Sequence, residues 1–202
     1  MLELPNKKYQ IIYADPPWKW KNYNDKTAHW WVGKHYSLMD LEEIKSLPIK
    51  DIVDNDCVLF IWISDPFLSK VFAVIKSWGF EYKTVAFTWV KTNKSDGKDF
   101  LGMGYWTRSN PEMCLLGTKG HPKRLSANVK QLVFSKRGEH SRKPDEVRNK
   151  IVELIGDVPR IELFARQRFE GWDAWGNEVS KTTQKLLTKN SSPSKKDVIK
   201  WI

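Results

Sequence analysis

Apolar residues along this chain fall into short unbroken runs separated by segments of helical period. "YQIIYA" (Tyr9–Ala14), "CVLFIWIS" (Cys57–Ser64) and "YKTVAFTWVK" (Tyr82–Lys91) have strand length and are rich in β-branched and aromatic residues. "EMCLLGTK" (Glu112–Lys119), "QLVFS" (Gln131–Ser135) and "RIELFAR" (Arg160–Arg166) read as further short strands. The continuity of "CVLFIWIS" is that of a strand covered on both faces. Between the runs lie three helical patterns. "SLMDLEEIKSL" (Ser37–Leu47) has Ser37 as its expected cap. "DPFLSKVFAVIKSW" (Asp65–Trp78) ends at Gly79. "KPDEVRNKIVELIG" (Lys143–Gly156) has Pro144 and acids at its start and Gly156 at its end. "FEGWDAWGNE" (Phe169–Glu178) reads as a compact aromatic loop.

Strands alternating with helices predict an α/β domain with a mostly parallel sheet flanked by helices, and no internal repeat interrupts it. In such sheets ligands sit outside the carboxyl ends of the strands. Three chemically distinctive stretches fall at such ends: Asp15–Trp18, Lys91–Asn93 and Arg166–Arg168. Their convergence predicts one shared site. Two long segments, Lys19–Tyr36 and Thr92–Asn110, are expected to be functional loops.

Composition adds a partner. The 202 residues carry a net charge of +10, placed unevenly. Lys119–Lys150 holds ten Lys and Arg against three acids, and Lys181–Ile202 six Lys against one Asp. A clustered basic face is the electrostatic footprint of a polyanion. The first segment also carries loop-forming Gly, Pro, Ser and Asn, which suits a nucleic-acid-binding loop. The tail, 181–202, reads as a Lys-, Ser- and Thr-rich appendage, partly disordered, beside a domain spanning 1–180. Cys57 and Cys114 lie in apolar runs, as buried thiols of a reducing compartment do. The start "MLELPNKKYQ" has no signal-peptide pattern, and no apolar run approaches the roughly 18 residues of a membrane span. A cytoplasmic protein without membrane contact is expected. No Cys or His set stands at metal-ligand spacing, and no metal is expected.

The string that ends the first strand is Asp15-Pro16-Pro17-Trp18. One reading is a strand-ending turn with a buried Trp. The other is a clamp for an aromatic amine such as N6 of adenine, a poor nucleophile because its lone pair is delocalised into the ring. Acceptors on its two N–H groups favour a more electron-rich nitrogen and fix its direction of attack. Asp15 could supply one acceptor and the Pro16 carbonyl the other, held in place by the fixed φ of two prolines. Trp18 could stack on the base, worth roughly 1–3 kcal/mol. Orientation and electrostatics would then carry the rate.

"DPPW" resembles the signature of the MT-A70 family of S-adenosylmethionine-dependent adenine-N6 methyltransferases. Further blocks resemble that family in its order: "HYSLM" (His35–Met39), "LFIWIS" (Leu59–Ser64), "SWGFE" (Ser77–Glu81), "WVKTN" (Trp89–Asn93), "GYWTRSNPEMCLLGTKG" (Gly104–Gly120), "SRKPDEV" (Ser141–Val147), "IELFAR" (Ile161–Arg166) and "WGNE" (Trp175–Glu178). The resemblance implies a Rossmann-like methyltransferase fold with permuted motif order, the catalytic string first and the cofactor blocks late. It implies a catalytic string of Asp15, Pro16, Pro17 and Trp18, with Asp15 also beside the cofactor. Lys143 would reach the cofactor's carboxylate or ribose side, Arg166 its ribose or methionine groups, and Asn177 and Glu178 its ribose hydroxyls or adenine edge. Arg168 is a further cofactor candidate, though "QRF" departs from the family's usual residues there. Tyr36, Lys91 and Glu112 fall where the family lines its substrate pocket.

The short form resembles bacterial and phage members, which implies DNA adenine as the acceptor, with RNA as the alternative. Recognition is expected from the loops Lys19–His35, Thr92–Asn110 and Lys119–Lys143. The tail or a second subunit, a homodimer mate or a heteromeric partner, would assist. The rival class is a catalytically silent nucleic-acid-binding subunit, against which the intact Asp15 argues. Methylation of a protein glutamine amide would suit Asn better than Asp at position 15.

Overall fold

The computed structural model describes residues 3–19, 38–93, 95–104, 106–138 and 142–179. The expected loop Lys19–Tyr36, the proposed Ser37 cap, Tyr36 and the tail from 181 fall wholly or almost wholly outside the described residues. The described chain forms one seven-stranded sheet: β1 (Tyr9–Ala14), β2 (Val53–Ile63), β3 (Glu81–Thr92), β4 (Glu112–Lys119), β5 (Leu132–Lys136), β6 (Arg160–Leu163) and β7 (Asp173–Trp175). Its order is β5-β3-β4-β2-β1-β6-β7. Four pairings are parallel; β4 alone runs against its neighbours β2 and β3. This is the mostly parallel sheet of a Rossmann-like methyltransferase fold. The antiparallel strand has a local cause: β3 and β4 are joined by a loop with no crossover helix, so the chain must turn back.

The six strands read from the sequence form where the pattern puts them. The seventh, β7, lies inside the segment read as a loop. Only three residues long, it pairs in register with β6, Ile161 to Asp173 through Leu163 to Trp175, and the pattern of so short a run carries no strand signal.

Period-two alternation explains why β1 and β2 read as continuous apolar runs. Ile12, Ala14, Leu59, Ile61 and Ile63 belong to one core layer, with α1 (Leu41–Ser46) and α2 (Leu68–Ser77). Ile11, Tyr13, Val58, Phe60 and Trp62 belong to the other, with α3 (Glu146–Ile155) and Trp172. The two helices of the first layer are tied together by Trp78, whose Nε1 donates to the Ile44 carbonyl at 2.9 Å. The cap of α1 is Asp40 rather than Ser37. Its Oδ1 accepts from the Glu43 amide at 2.9 Å and its own amide donates to Glu43 Oε2 at 2.7 Å, a reciprocal capping box. Gly79 (φ 87°) and Gly156 (φ 110°) stand just past α2 and α3, as the sequence predicts. Cys57 and Cys114 are buried free thiols, and burial pushes the Cys57 thiol up to about 12. Among the described residues, no helix is long and apolar enough to cross a membrane.

The chain leaves β1 toward β2 on one side and returns to β6 on the other. The order therefore reverses between β1 and β6, and the crevice outside their carboxyl ends is where an open α/β sheet places its ligand.

Candidate active site

Asp15 follows directly on β1, at this switch point. A cleft of about 730 Å³ opens beside it, lined among others by Asp15, Lys143, Phe164, Arg166, Gln167 and Glu178. That volume lies within the roughly 300–1,000 Å³ usual for small-molecule sites.

An alternating chain of charges starts in the cleft lining, with Asp15 and Lys143, and continues outside it through Glu112 to Lys91. Lys143 Nζ lies 2.9 Å from Asp15 Oδ2 and 3.2 Å from Glu112 Oε2, and Lys91 Nζ lies 2.7 Å from Glu112 Oε1. The four come from separate parts of the fold: the end of β1, the segment before α3, the start of β4 and the end of β3. The antiparallel β4 is what brings Glu112 here, since it presents its amino end where its neighbours present their carboxyl ends. The Lys143 ammonium also sits 5.6 Å from the centre of the Trp62 ring. Burial alone would drive the Lys143 ammonium down, but Asp15 and Glu112 overcome it and hold it well above the ordinary lysine range. Burial would likewise raise the Glu112 carboxyl, and Lys143 and Lys91 instead keep it below the usual carboxylate range. Two acids and two bases balance, so the chain of charges is close to neutral.

Lys143 is aimed by its neighbours on α3. Arg148 makes a bidentate pair with Glu162 of β6, at 2.8 and 2.6 Å, and reaches Asp145 at 3.0 Å. Its guanidinium also lies 3.6 Å from the centre of the Phe169 ring. Because Glu162 is the register partner of Tyr13 on β1, this buried pair fixes the start of α3 against the strand that carries Asp15. Neither Arg148 nor Glu162 stands out in the sequence. The signal available was a charged residue inside each of two apolar faces.

The Asp15–Trp18 turn is locked by three backbone bonds. Trp18 N–H donates to the Pro16 carbonyl at 2.9 Å, Met39 N–H to the Pro17 carbonyl at 2.9 Å, and Lys19 N–H to the Met39 carbonyl at 3.0 Å. The Pro16 oxygen keeps a second lone pair for a ligand. Trp18 is a different matter. Its expected base-stacking face is not open in this arrangement: the residue is 6% exposed, its ring stacks on Phe67 at 5.3 Å, and it joins the core layer of α1 and α2. A large apolar ring following a proline-stiffened turn is anchored inward, where burial rewards it most. Trp18→Phe should therefore lower stability by about 1–2 kcal/mol, as reduced core volume does. It should leave the KM for nucleic acid within twofold. Urea unfolding and steady-state kinetics check this, and a KM raised tenfold with stability unchanged would restore the stacking role.

On the other wall, Phe164, just past β6, takes a left-handed conformation (φ 61°), unusual for a bulky residue, and packs edge-on against Trp175 at 5.6 Å. The β7 turn presses on it. A Cβ at Gly176 would lie 2.7 Å from the Ala165 amide nitrogen and closer still to its carbonyl oxygen, so only glycine fits there. This close approach puts Glu178 in the cleft lining beside Arg166. Asn177 is exposed at the start of the helical stretch that follows Gly176. Arg168 is exposed and lies outside the lining; the Asp173 carboxyl is held low chiefly by the Lys7 hydrogen bond, then by that of Tyr9, with the Arg168 charge adding to them. The residues that line the cleft from this segment are its neighbours Gln167 and Phe169. Tyr36 lies outside the described residues. The structure thus brings together Asp15, Pro16, Lys91, Glu112 and Lys143, with Arg166 and Glu178 across the cleft.

Comparison with known proteins places the chain among sequence relatives. Residues 9–178 match the family model MT-A70. The Type II methyltransferase M.MunI of Mycoplasma sp is 38% identical over 194 residues, covering 88% of this chain and 80% of that protein. The N(6)-adenosine-methyltransferase catalytic subunit METTL3 of Homo sapiens is 27% identical over 176 residues, covering 85% of this chain and 28% of that protein. The MT-A70-like protein of Drosophila melanogaster is 28% identical, with 27% of its length covered. The chain thus spans about a quarter of these longer relatives and most of the compact one.

Proposed function

The chain belongs to the MT-A70 family, and from that premise we propose that it methylates the N6 amine of adenine in DNA, with S-adenosylmethionine as donor. The observation that carries the reading is the placement of Asp15. It stands at the switch point, facing the cleft, with Oδ2 held by Lys143 and the acceptor capacity of Oδ1 left for a ligand.

The cleft suits the donor. Its volume is ample, and its lining offers a cation (Arg166) for a carboxylate, an acid (Glu178) for a diol or ammonium, and aromatic rings (Phe164, Phe169) for a purine face. When bound there, the donor supplies an electrophilic methyl group. Asp15 accepts one N–H of the amine and the Pro16 carbonyl the other, so the nitrogen lone pair is turned toward the cleft. The three-bond lock on the turn means that these acceptors need no reorganisation at the moment of reaction. As nitrogen bonds to carbon, the donor's S–CH3 bond would break to leave a neutral thioether, and the nitrogen would pass one proton to the Asp15 carboxylate that already accepts that N–H. Lys143 keeps the Asp15 carboxylate oriented; Glu112 and Lys91 in turn fix Lys143.

DNA is favoured over RNA by similarity: the chain is 38% identical to a Type II methyltransferase and 27–28% identical to the N(6)-adenosine enzymes. The exposed cations Lys123, Arg124, Lys130, Lys136, Arg137 and Arg142 supply the phosphate contacts such a substrate needs. Incubation with donor labelled in its methyl group, and unmethylated genomic DNA or RNA as acceptor, tests the reading. Label should appear in DNA and be recovered as N6-methyladenine after digestion. Label in RNA alone would move the substrate, and donor binding without transfer to either polymer would make the chain a silent subunit.

A further inference from the structure

Trp106 is the most exposed large apolar residue among those described. It is 100% exposed, with Met103 at 74% and Leu101 at 62% beside it. All three lie on the loop joining β3 to β4, which rises from the rim of the site: Lys91 ends one arm and Glu112 begins the other, and the two are ion-paired at its base.

The stalk of this loop is rigidly built. Asn110 acts as a clasp. Its Oδ1 accepts from the Lys91 amide at 2.8 Å, and its Nδ2 donates to the Lys91 carbonyl at 3.0 Å and the Phe100 carbonyl at 2.7 Å. The Phe100 amide donates to the Lys91 carbonyl at 2.9 Å and the Gly102 amide to the Ser109 carbonyl at 2.7 Å. Arg108 closes the upper part by donating to the Leu101 carbonyl at 3.2 Å. The arms approach so tightly that a Cβ on Gly102 would lie 2.7 Å from the Ser109 carbonyl oxygen, and Gly104 is tighter still against Thr107. The Arg137 guanidinium stacks on Phe100 at 4.3 Å, joining the finger to the basic segment that follows β4.

An apolar tip on a braced stalk, flanked by Arg108 and Arg137, is costly to leave in water and chemically suited to a partner that is stacked inside and anionic outside. Duplex DNA is such a partner. An enzyme acting on N6 must extrude the adenine, and the hole left in the stack costs a few kcal/mol unless something fills it. We infer that Trp106 is the wedge that enters the duplex and occupies the place of the extruded adenine, with Met103 and Leu101 against the neighbouring pair. This rests on the DNA reading above and adds to it the residue that opens the helix.

A binding measurement tests the wedge without relying on methyl transfer. Fluorescence anisotropy compares a labelled duplex containing one abasic site with the same duplex fully paired. A preformed hole spares the cost of extrusion, so the parent protein should bind the abasic duplex roughly tenfold more tightly, the scale of one base stacked on an aromatic ring. Trp106→Ala should bind both duplexes alike, and Trp106→Phe should keep most of the preference. The Ala variant should also lose about tenfold in methylation of native genomic DNA. A parent with no preference, or an Ala variant that retains it, overturns the wedge and leaves the catalytic reading untouched. An Ala variant altered only in sedimentation assigns the tip to a protein partner instead, which also overturns it. Trp106-dependent preference with no methyl transfer by the parent would separate the two readings in the other direction.

Discussion

Asp15→Asn should lower the rate of methyl transfer by about 100- to 1,000-fold, the scale for removing one pre-oriented electrostatic contact to the reacting group. The substitution keeps the shape of the side chain and changes what it can accept. A carboxylate has two acceptor oxygens, one engaged by Lys143 at 2.9 Å and the other with capacity for the amine. An Asn has one acceptor oxygen, for which Lys143 and the amine compete, and an NH2 group that opposes the N–H of the substrate. The loss should therefore appear in kcat, with the KM for DNA and the affinity for the donor within a few-fold of the parent. Stability should change little, because Asp15 lies at the cleft edge and Lys143 keeps Glu112 at 3.2 Å. Single-turnover transfer of labelled methyl, with calorimetric titration of the donor, separates these quantities. A variant within tenfold of the parent rate would show that Asp15 does not hold the reacting amine.

How much of this site was open to sequence reading depends on what each residue responds to. Asp15 and the prolines were readable because a strand, a stiff turn and an acid are all local features. Lys143 was placed at the site by resemblance, but its partners were not, since it meets Asp15 across 128 positions of sequence. Glu112 was expected near the substrate. Its pairing with both lysines depends on β4 running antiparallel, which the apolar pattern of β4 alone does not encode. Trp18 shows the opposite limit. The sequence put an aromatic ring beside an acid, and only packing against Phe67 decided that the ring faces inward. Phe164 and Gly176 needed the unforeseen strand β7, whose close approach to Ala165 fixes the wall that carries Glu178. The braced finger was read only as a loop, because its clasp is a single Asn bonding to backbone ten and nineteen positions away.

Lys143→Met is expected to destabilise the protein by about 3 kcal/mol near pH 8, the low end of what breaking a buried ion pair costs. Met fills a similar volume and can keep contact with Trp62, so the loss isolates the charge. It leaves Asp15 without its Oδ2 partner and takes Lys143 from Glu112, which keeps Lys91. The residual Lys91 pair and the partial exposure of Asp15 keep the cost from rising further. The pH dependence has a fixed sign. Glu112 titrates below its ordinary value in the parent, so its stabilising contribution is present above about pH 4.3 and is lost as pH falls through the lower folded value. Lys143 titrates above its ordinary value, so its contribution is present below about pH 10.4 and is lost only at still higher pH. The deficit of the variant should thus be widest between about pH 6 and 9 and should narrow toward pH 4, where protonation removes the Glu112 charge that Lys143 balances in the parent. Adding Glu112→Gln should recover part of the loss, because it removes the charge that Lys143 had been holding. Urea unfolding of the parent and the single and double variants across that range gives the result. A constant deficit at every pH, or no recovery in the double variant, would mean that Lys143 acts through packing against Trp62 and not as the charge that orients Asp15.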